Sequence, residues 1–395
     1  MKVAVIGGGP AGAFAAEKLA SSGIPVTVID EKLAWEKPCG GGVTARALDA
    51  YPFLAASRSP ARFVERAVLV ASTGARACLR LRRPLAIYSR EVLNGLLLDR
   101  ARRAGADVVQ DRIVDAERRD EAWRLQGKRD QYTADFCVVA TGARNPLRQM
   151  GTELRREDAY VALGYYVPGQ LEHIEIQFCK GLEGYIWVFP RTDHLSVGIC
   201  GKIDSQGTPR LRRMVERYMA EHGLPVEGSR FYCHLLPSLA PSSFERNRVA
   251  GIGWAAVGDA AGLADPITGE GIFFALRSGD LLAECVIQER IADYASRLRR
   301  QVMDDLQLGA RLAGVFYRGR FFFDSVTTRM VQFCRRSRRF EDLMQDLIAG
   351  RQTYLGLKSR LWRQLGVTLW EIAGSVRAGT SSAELHEPSK IESPV

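Results

Sequence analysis

The stretch Val3-Ala4-Val5-Ile6-Gly7-Gly8-Gly9-Pro10-Ala11-Gly12-Ala13-Phe14-Ala15-Ala16 decides the fold of the first part of the chain. Val3–Ile6 is a short apolar, β-rich run and predicts a buried strand. Gly7-x-Gly9-x-x-Gly12 follows at once, and from Pro10 to about Ser22 the pattern is helical until Gly23 stops it. Val26–Ile29 predicts a second buried strand that ends at Asp30, completing a βαβ unit. In that setting the first glycine allows the tight turn. The second lets backbone N–H groups approach a pyrophosphate, and the third lets helix and strand pack closely. The helix N-terminus adds about half a positive charge toward the phosphates. Asp30 is placed to accept hydrogen bonds from a ribose diol. The spacing predicts a bound dinucleotide and does not separate FAD from NAD.

A second glycine-rich segment makes that separation. Gly258-Asp259-Ala260-Ala261-Gly262 follows the apolar strand Trp254–Val257, and Asp265-Pro266-Ile267-Thr268-Gly269-Glu270-Gly271-Ile272 opens a new helix. A nicotinamide domain has no use for such a segment. A flavin has a ribityl chain for Asp259 to hold. Its N1/C2=O edge gains negative charge on reduction, which a helix N-terminus at Gly271 stabilises. FAD is therefore the expected cofactor.

The chain has 395 residues, 46% apolar and 25% charged, which excludes disordered, collagen-like and small disulfide-stapled classes. Its eight cysteines are scattered with no CxxC pair, so neither a zinc site nor a thioredoxin-like motif is expected. No run approaches the roughly 18 apolar residues that span a bilayer. The net charge of +10 is concentrated late, because residues 291–378 hold 16 Lys+Arg against 8 Asp+Glu. Such a face attracts lipid phosphates, membranes or nucleic acid alike. Residues 64–88 read as a hairpin plus a strand, and Arg90–Ala104 as an amphipathic helix. Alternating strands begin near Ala159, and a helical pattern runs from about Gly269 to Ala378. The fold expected is α/β. A Rossmann-like FAD-binding domain comprises residues 1–158 and 249–290, and an inserted antiparallel-sheet substrate domain covers 159–248. A helical region fills 291–378 and a disordered tail 379–395.

GGGPAG, KPCGGG (Lys37–Gly42), SREVL around Arg90 and GDAAGLADPITGEGI make the chain resemble the geranylgeranyl reductase family of FAD-dependent oxidoreductases. That family belongs to the para-hydroxybenzoate-hydroxylase-like flavoprotein group, and Gly350-Arg351-Gln352-x-Tyr354-Leu355 is similar to its ending. The resemblance implies FAD contacts at Ala11, Asp30, Cys39, Gly40, Gly42, Arg90, Val114, Asp259, Gly271 and Ile272, with Cys39 near the flavin ring. Arg90 suits a pyrophosphate because a guanidinium pairs two phosphate oxygens at once. Many relatives carry an Asp-Gly pair where this chain has Ala140-Thr141-Gly142-Ala143-Arg144, so the electron donor is left as NAD(P)H or a ferredoxin.

Gly184-Tyr185-Ile186-Trp187-Val188-Phe189-Pro190 alternates, so Tyr185, Trp187 and Phe189 share one strand face. The segment resembles the family's YxWxFP cavity wall, although Leu182 stands where the family often has Pro. An aromatic wall suits an isoprenoid chain, which offers only methyls and π bonds. The resemblance implies a reductase that saturates C=C bonds of a geranylgeranyl or polyprenyl group. A flavin hydroxylase stays open as the alternative. A halogenase is disfavoured, because no lysine lies between Lys37 and Lys128 and the WxWxIP segment is absent. A prenyl-binding protein without a working flavin site is disfavoured by the intact glycines. No catalytic side chain or metal site declares itself, and His173, His194, His222 and His234 read as structural. The expected partners are a prenyl small molecule and an electron-donor protein, with no nucleic acid. The expected location is cytoplasmic, with peripheral membrane contact through the basic C-terminal helices.

Overall fold

A computed structural model describes residues 1–147, 149–202, 207–321 and 323–378; the tail expected to be disordered, 379–395, lies outside the described residues. The described residues divide into two compact units.

The first unit comprises Met1–Lys37, Ser89–Ala159 and Leu235–Ala310. Its six-stranded sheet runs, in spatial order, Ala250–Gly251, Trp254–Ala256, Phe136–Val139, Val3–Ile6, Val26–Asp30, Asp107–Gln110. The pairings are parallel except for the first, which is antiparallel. Val3–Ile6 is buried along its whole length, as a central parallel strand must be. The helices Pro10–Ser21 and Ile272–Ile287 pack on each other, and Gly279 allows the approach: a Cβ there would lie 2.5 Å from the Ala11 carbonyl oxygen. A small three-stranded sheet, Ile113–Arg119, Ala122–Gly127 and Gln131–Ala134, completes the unit.

The second unit comprises Pro38–Tyr88, Tyr160–His234 and Arg311–Val395. Its eight-stranded sheet orders Arg230–Pro237, Ala159–Val167, Leu195–Lys202, Gly184–Pro190, Ile174–Phe178, Ala61–Val70, Arg76–Tyr88 and Gly42–Val43. The helix Gly207–Glu221 covers one face, where Tyr218 Oη donates to Glu175 at 2.7 Å and Tyr165 to Glu216. Ile87, Ile174, Val64 and Leu85 build a core on the other face, with Phe189 and Ile348 against it.

Two differences from the sequence reading follow from long-range pairing. Residues 38–88 were assigned to the dinucleotide domain, yet Ala67–Val70 pairs in parallel with Ile174–Gln177 and draws the hairpin into the second sheet. The stretch read as helical from Gly269 to Ala378 is interrupted by the hairpin Arg320–Phe321/Asp324–Ser325, just after Gly319. Among the described residues no helix is long and apolar enough to cross a membrane.

Candidate functional site: a dinucleotide cradle and an aromatic wall

In the first unit the fingerprint glycines do what the spacing requires. Gly7 takes φ +112°, and a Cβ there would overlap the Ala140 carbonyl oxygen. Gly12 lies so close to Gly7 O that only a hydrogen fits. Gly9 is different: a Cβ there would meet nothing within 4 Å, so its bareness leaves open space rather than close packing. Gly9 is also the N-cap, with no side-chain cap and Pro10 behind it. The first-turn N–H groups therefore have no side-chain oxygen on them. Asp30 accepts from Gly8 N at 2.7 Å, Lys32 N at 2.8 Å and Leu33 N at 2.6 Å, which fixes its carboxylate beside the turn.

Arg90 gives the test of whether a diphosphate fits. It opens the helix Arg90–Arg103 and is 5% exposed; its backbone N–H donates to Glu36 Oε1 at 3.1 Å, and its guanidinium makes a 3.4 Å bond from Nη2 to Asn94. Its Nε is buried without a hydrogen-bond partner, and no carboxylate pairs with it among the described residues. A buried, unpaired cation costs several kcal/mol. A dinucleotide diphosphate would offer this guanidinium the anionic acceptor it lacks.

The second glycine-rich loop meets the first. A Cβ on Gly258 would stand 2.9 Å from the Ala11 Cβ, so the two motifs touch. Ser278 Oγ accepts the Gly258 N–H at 2.9 Å. Asp259 pairs with Lys37, Nζ to Oδ2, at 3.0 Å, and its other oxygen lies 3.5 Å from where a Gly271 Cβ would be. Gly271 is the N-cap of the helix beginning at the buried Ile272 and gives it no side-chain cap. From behind, Thr152 N donates to Ala260 O at 2.8 Å and Asn247 Nδ2 to Ala261 O at 2.9 Å. Thr152 Oγ1 also donates to Asn247 Oδ1 at 2.8 Å, so the two braces hold each other. Val114 lies in the small sheet at a bulge: Ile113 pairs with Gly127 and Asp115 with Gln126, which leaves Val114 out of register. Its side chain is 43% exposed.

Sequence reasoning missed Lys37, Thr152, Asn247 and Ser278. Lys37 lies inside the quoted KPCGGG run, but nothing local announces its partner. Asn247 and Thr152 carry no motif at all.

Cys39, Gly40 and Gly42 belong to the second unit, with Tyr185, Trp187 and Phe189. The three rings lie on the sheet face opposite the helix Gly207–Glu221. Trp187 is paired across the ladder with Gly198, and its ring lies where a Cβ on Gly198 would be. A Cβ on Gly40 would sit 2.8 Å from Phe189 Cδ2, and one on Gly42 3.1 Å from Phe189 Cε2. The Cys39–Gly42 loop thus lies on the rings. Trp187 is 5% exposed, while Tyr185 and Phe189 are half-buried. Tyr185 meets Trp187 edge-on at 6.4 Å.

Polar groups hold this wall in place. Trp187 Nε1 donates to Ser196 Oγ at 3.3 Å, and Ser196 donates to Cys39 O at 3.3 Å. Arg191 Nη2 donates to the same carbonyl at 2.8 Å, and Gly41 N donates to Cys39 Sγ at 3.2 Å. Burial pushes the Tyr317 hydroxyl well above its usual range, with Tyr160, Cys200, Tyr185 and Tyr354 around it. Burial likewise pushes the Cys200 thiol up to about 12. Burial therefore keeps the Tyr317 hydroxyl and the Cys200 thiol neutral at physiological pH, while a charged group, the buried Arg191 guanidinium, is bonded to the loop.

The histidines are dispersed. His173 is buried, and burial lowers its pKa; His222 stacks on Tyr218 at 4.0 Å. Among the described residues no group of His, Cys, Asp and Glu is arranged to hold a metal.

Residues 1–159 match the family model described as pyridine nucleotide-disulphide oxidoreductase. The menaquinone reductase of Mycolicibacterium smegmatis is 30% identical over 323 residues, 74% of this chain and 78% of that protein. The chloroplastic geranylgeranyl diphosphate reductase of Nicotiana tabacum is 25% identical over 344 residues, 78% of this chain and 69% of that one. Among solved structures, a geranylgeranyl bacteriochlorophyll reductase-like protein of Thermoplasma acidophilum superposes with a TM-score of 0.74 at 19% identity. It covers 92% of this chain and 98% of its own, a likeness of fold.

Proposed function

The chain belongs to the geranylgeranyl reductase family of FAD-dependent oxidoreductases, and on that premise we propose that it saturates C=C bonds of a prenyl chain carried by a lipid, quinone or pigment precursor. The observation that carries the substrate class is the wall of Tyr185, Trp187 and Phe189 over glycines, flanked by hydroxyls and thiols that burial keeps neutral. Such a surface offers an isoprenoid chain aromatic and apolar contact, with the Arg191 guanidinium occupied by the Cys39 carbonyl.

Arg90 and the Pro10–Ser21 helix N-terminus would hold the FAD diphosphate, Asp30 the adenosine ribose, and Asp259 the ribityl hydroxyls. The chemistry that reduced FAD would supply there is hydride transfer to one alkene carbon, with a proton added at the other. The uncapped N–H groups after Gly271 would stabilise the negative charge that the ring carries in that state. Lys37 orients the Asp259 carboxylate. Ser196 and Arg191, both bonded to the Cys39 carbonyl, hold that loop against Trp187 and Phe189 so that water is kept off the rings. Electrons reach the enzyme from NAD(P)H or a ferredoxin-type protein.

The test is anaerobic turnover of chemically reduced enzyme with polyprenyl lipids and quinones, read by mass spectrometry. Products heavier by two hydrogens per bond are expected. Product that appears only with oxygen, heavier by one oxygen atom, would replace this reading with a hydroxylase. NAD(P)H and reduced ferredoxin are then compared as donors.

A further inference from the structure

We propose that the hairpin after Gly319 is a membrane wedge, with Phe321 and Phe323 entering the surface of an anionic phospholipid bilayer while the surrounding arginines meet lipid phosphates. This goes beyond the reaction above and does not depend on which substrate is reduced.

The aromatic rings are presented to solvent by a braced backbone. Phe323 is 94% exposed, more than any other large apolar side chain among the described residues. Phe321 is 45% exposed, and Val315, less than two turns earlier, is 60% exposed. Phe323 also takes φ +67°, a left-handed conformation that is an outlier for so bulky a residue. The surroundings hold it there. Arg320 Nη2 donates to Phe323 O at 3.3 Å, Arg329 Nε to Phe321 O at 3.3 Å, and Val326 N to Gly319 O at 3.1 Å. The Phe321 ring meets Phe333 edge-on at 6.3 Å, which anchors the base of the hairpin. Strain spent on holding a ring in water gains nothing for the fold; it gains affinity once an apolar phase receives the ring.

Charge names the partner. Residues 315–339 contain seven arginines and one acid, Asp324. Arg318, ion-paired to Glu183 at 3.3 Å, and Arg320 flank Phe321, and Arg336 and Arg338 are exposed further along. Arginine beside an exposed aromatic ring is the combination that binds a membrane interface, where the guanidinium reaches phosphate and the ring sits among the upper acyl carbons. An acidic protein would satisfy the arginines but has no apolar phase for an isolated protruding ring. The helix Tyr354–Ala378 repeats the pattern. Leu355 and Trp362, seven residues apart and so on one face, are 59% and 69% exposed, with Lys358 between them. With no membrane-crossing helix among the described residues, the contact is interfacial.

The experiment is flotation of the purified full chain with vesicles of phosphatidylcholine alone or mixed equally with phosphatidylglycerol. Flavin content and melting temperature are recorded for every variant. Wild type is expected to float with the anionic vesicles, to stay behind with phosphatidylcholine alone, and to be released by high salt. Phe323→Asp is expected to lower partitioning about tenfold or more, and Arg336→Glu/Arg338→Glu to lower it by a similar factor. Both should keep wild-type flavin content and melting temperature. Wild type that fails to float would overturn the proposal and leave an acidic protein as the partner of the arginines. Phe323→Asp that floats like wild type would remove the wedge.

Discussion

Lys37 Nζ stands 3.0 Å from Asp259 Oδ2, an ion pair that joins the two flavin motifs across 222 residues of sequence, with both side chains mostly buried. Asp259→Ala strands the lysine and, on the proposed role of Asp259, takes away the hold on the ribityl chain. The loss of a charged hydrogen-bonded group costs about 1.5–3 kcal/mol, or roughly ten- to a hundredfold in FAD retention. The ratio of flavin to protein absorbance on purified enzyme checks it. A variant as yellow as wild type removes Asp259 from the cofactor site.

Arg90→Met separates the protein's own stability from cofactor binding. Without FAD the buried guanidinium has no anion, so its removal should leave the melting temperature of the apoprotein unchanged or higher. The same change should weaken FAD binding by about 2–5 kcal/mol, because a charge pair then loses one member. Calorimetry on apo and FAD-loaded protein reads both. A drop in apo stability as large as the loss of binding would assign Arg90 to the fold.

Asn247→Ala removes the brace to Ala261 O and the acceptor of the Thr152 hydroxyl. About 1–2 kcal/mol is lost for each unmade bond. The expected result is faster FAD release from an enzyme whose secondary structure by circular dichroism is unchanged.

Gly198→Ala places a methyl group into the Trp187 ring and should destabilise the protein by about 1–3 kcal/mol. Trp187→Leu vacates that space. The double variant should therefore be more stable than the sum of the single effects requires, by at least about 0.5 kcal/mol in chemical denaturation. Strict additivity would mean that the ring does not lie on Gly198.

Trp187→Phe keeps an aromatic surface but shortens it. Flavin content should stay at the wild-type level while the preference among prenyl chain lengths shifts. Unchanged relative rates across several chain lengths would take this strand out of substrate recognition.

The parts of this molecule that read directly from sequence are those where the physical requirement is local. A tight turn, a close helix–strand approach and an acid at the next strand end fall within about thirty residues, so Gly7, Gly9, Gly12 and Asp30 declare a nucleotide cradle together. The positions of Asp259 just after a strand and of Gly271 at a helix start were legible for the same reason. The parallel pairing of Ala67–Val70 with Ile174–Gln177 was not legible, because strand partners a hundred residues apart leave no mark in either strand. The alternation put Tyr185, Trp187 and Phe189 on one face; only the helix Gly207–Glu221, bonded through Glu216 and Tyr218 to the other face, says which face that is. The hairpin at Arg320–Ser325 was hidden inside a run whose flanking periodicity is helical.

Ala11 is covered by Gly258 and by Gly279, residues that leave the ribosome long after it does. At about 5–20 residues per second, roughly 15–50 s pass between the synthesis of Ala11 and that of Gly279. Through that interval the first βαβ unit is held on the nascent chain with one flank of its helix bare. The cradle therefore closes only after Gly279 has been made, and chaperones and free FAD meet the open flank until then. A shortage of flavin in the cell should then appear first as a loss of freshly made protein to aggregation or proteolysis, before any fall in the activity of enzyme already folded.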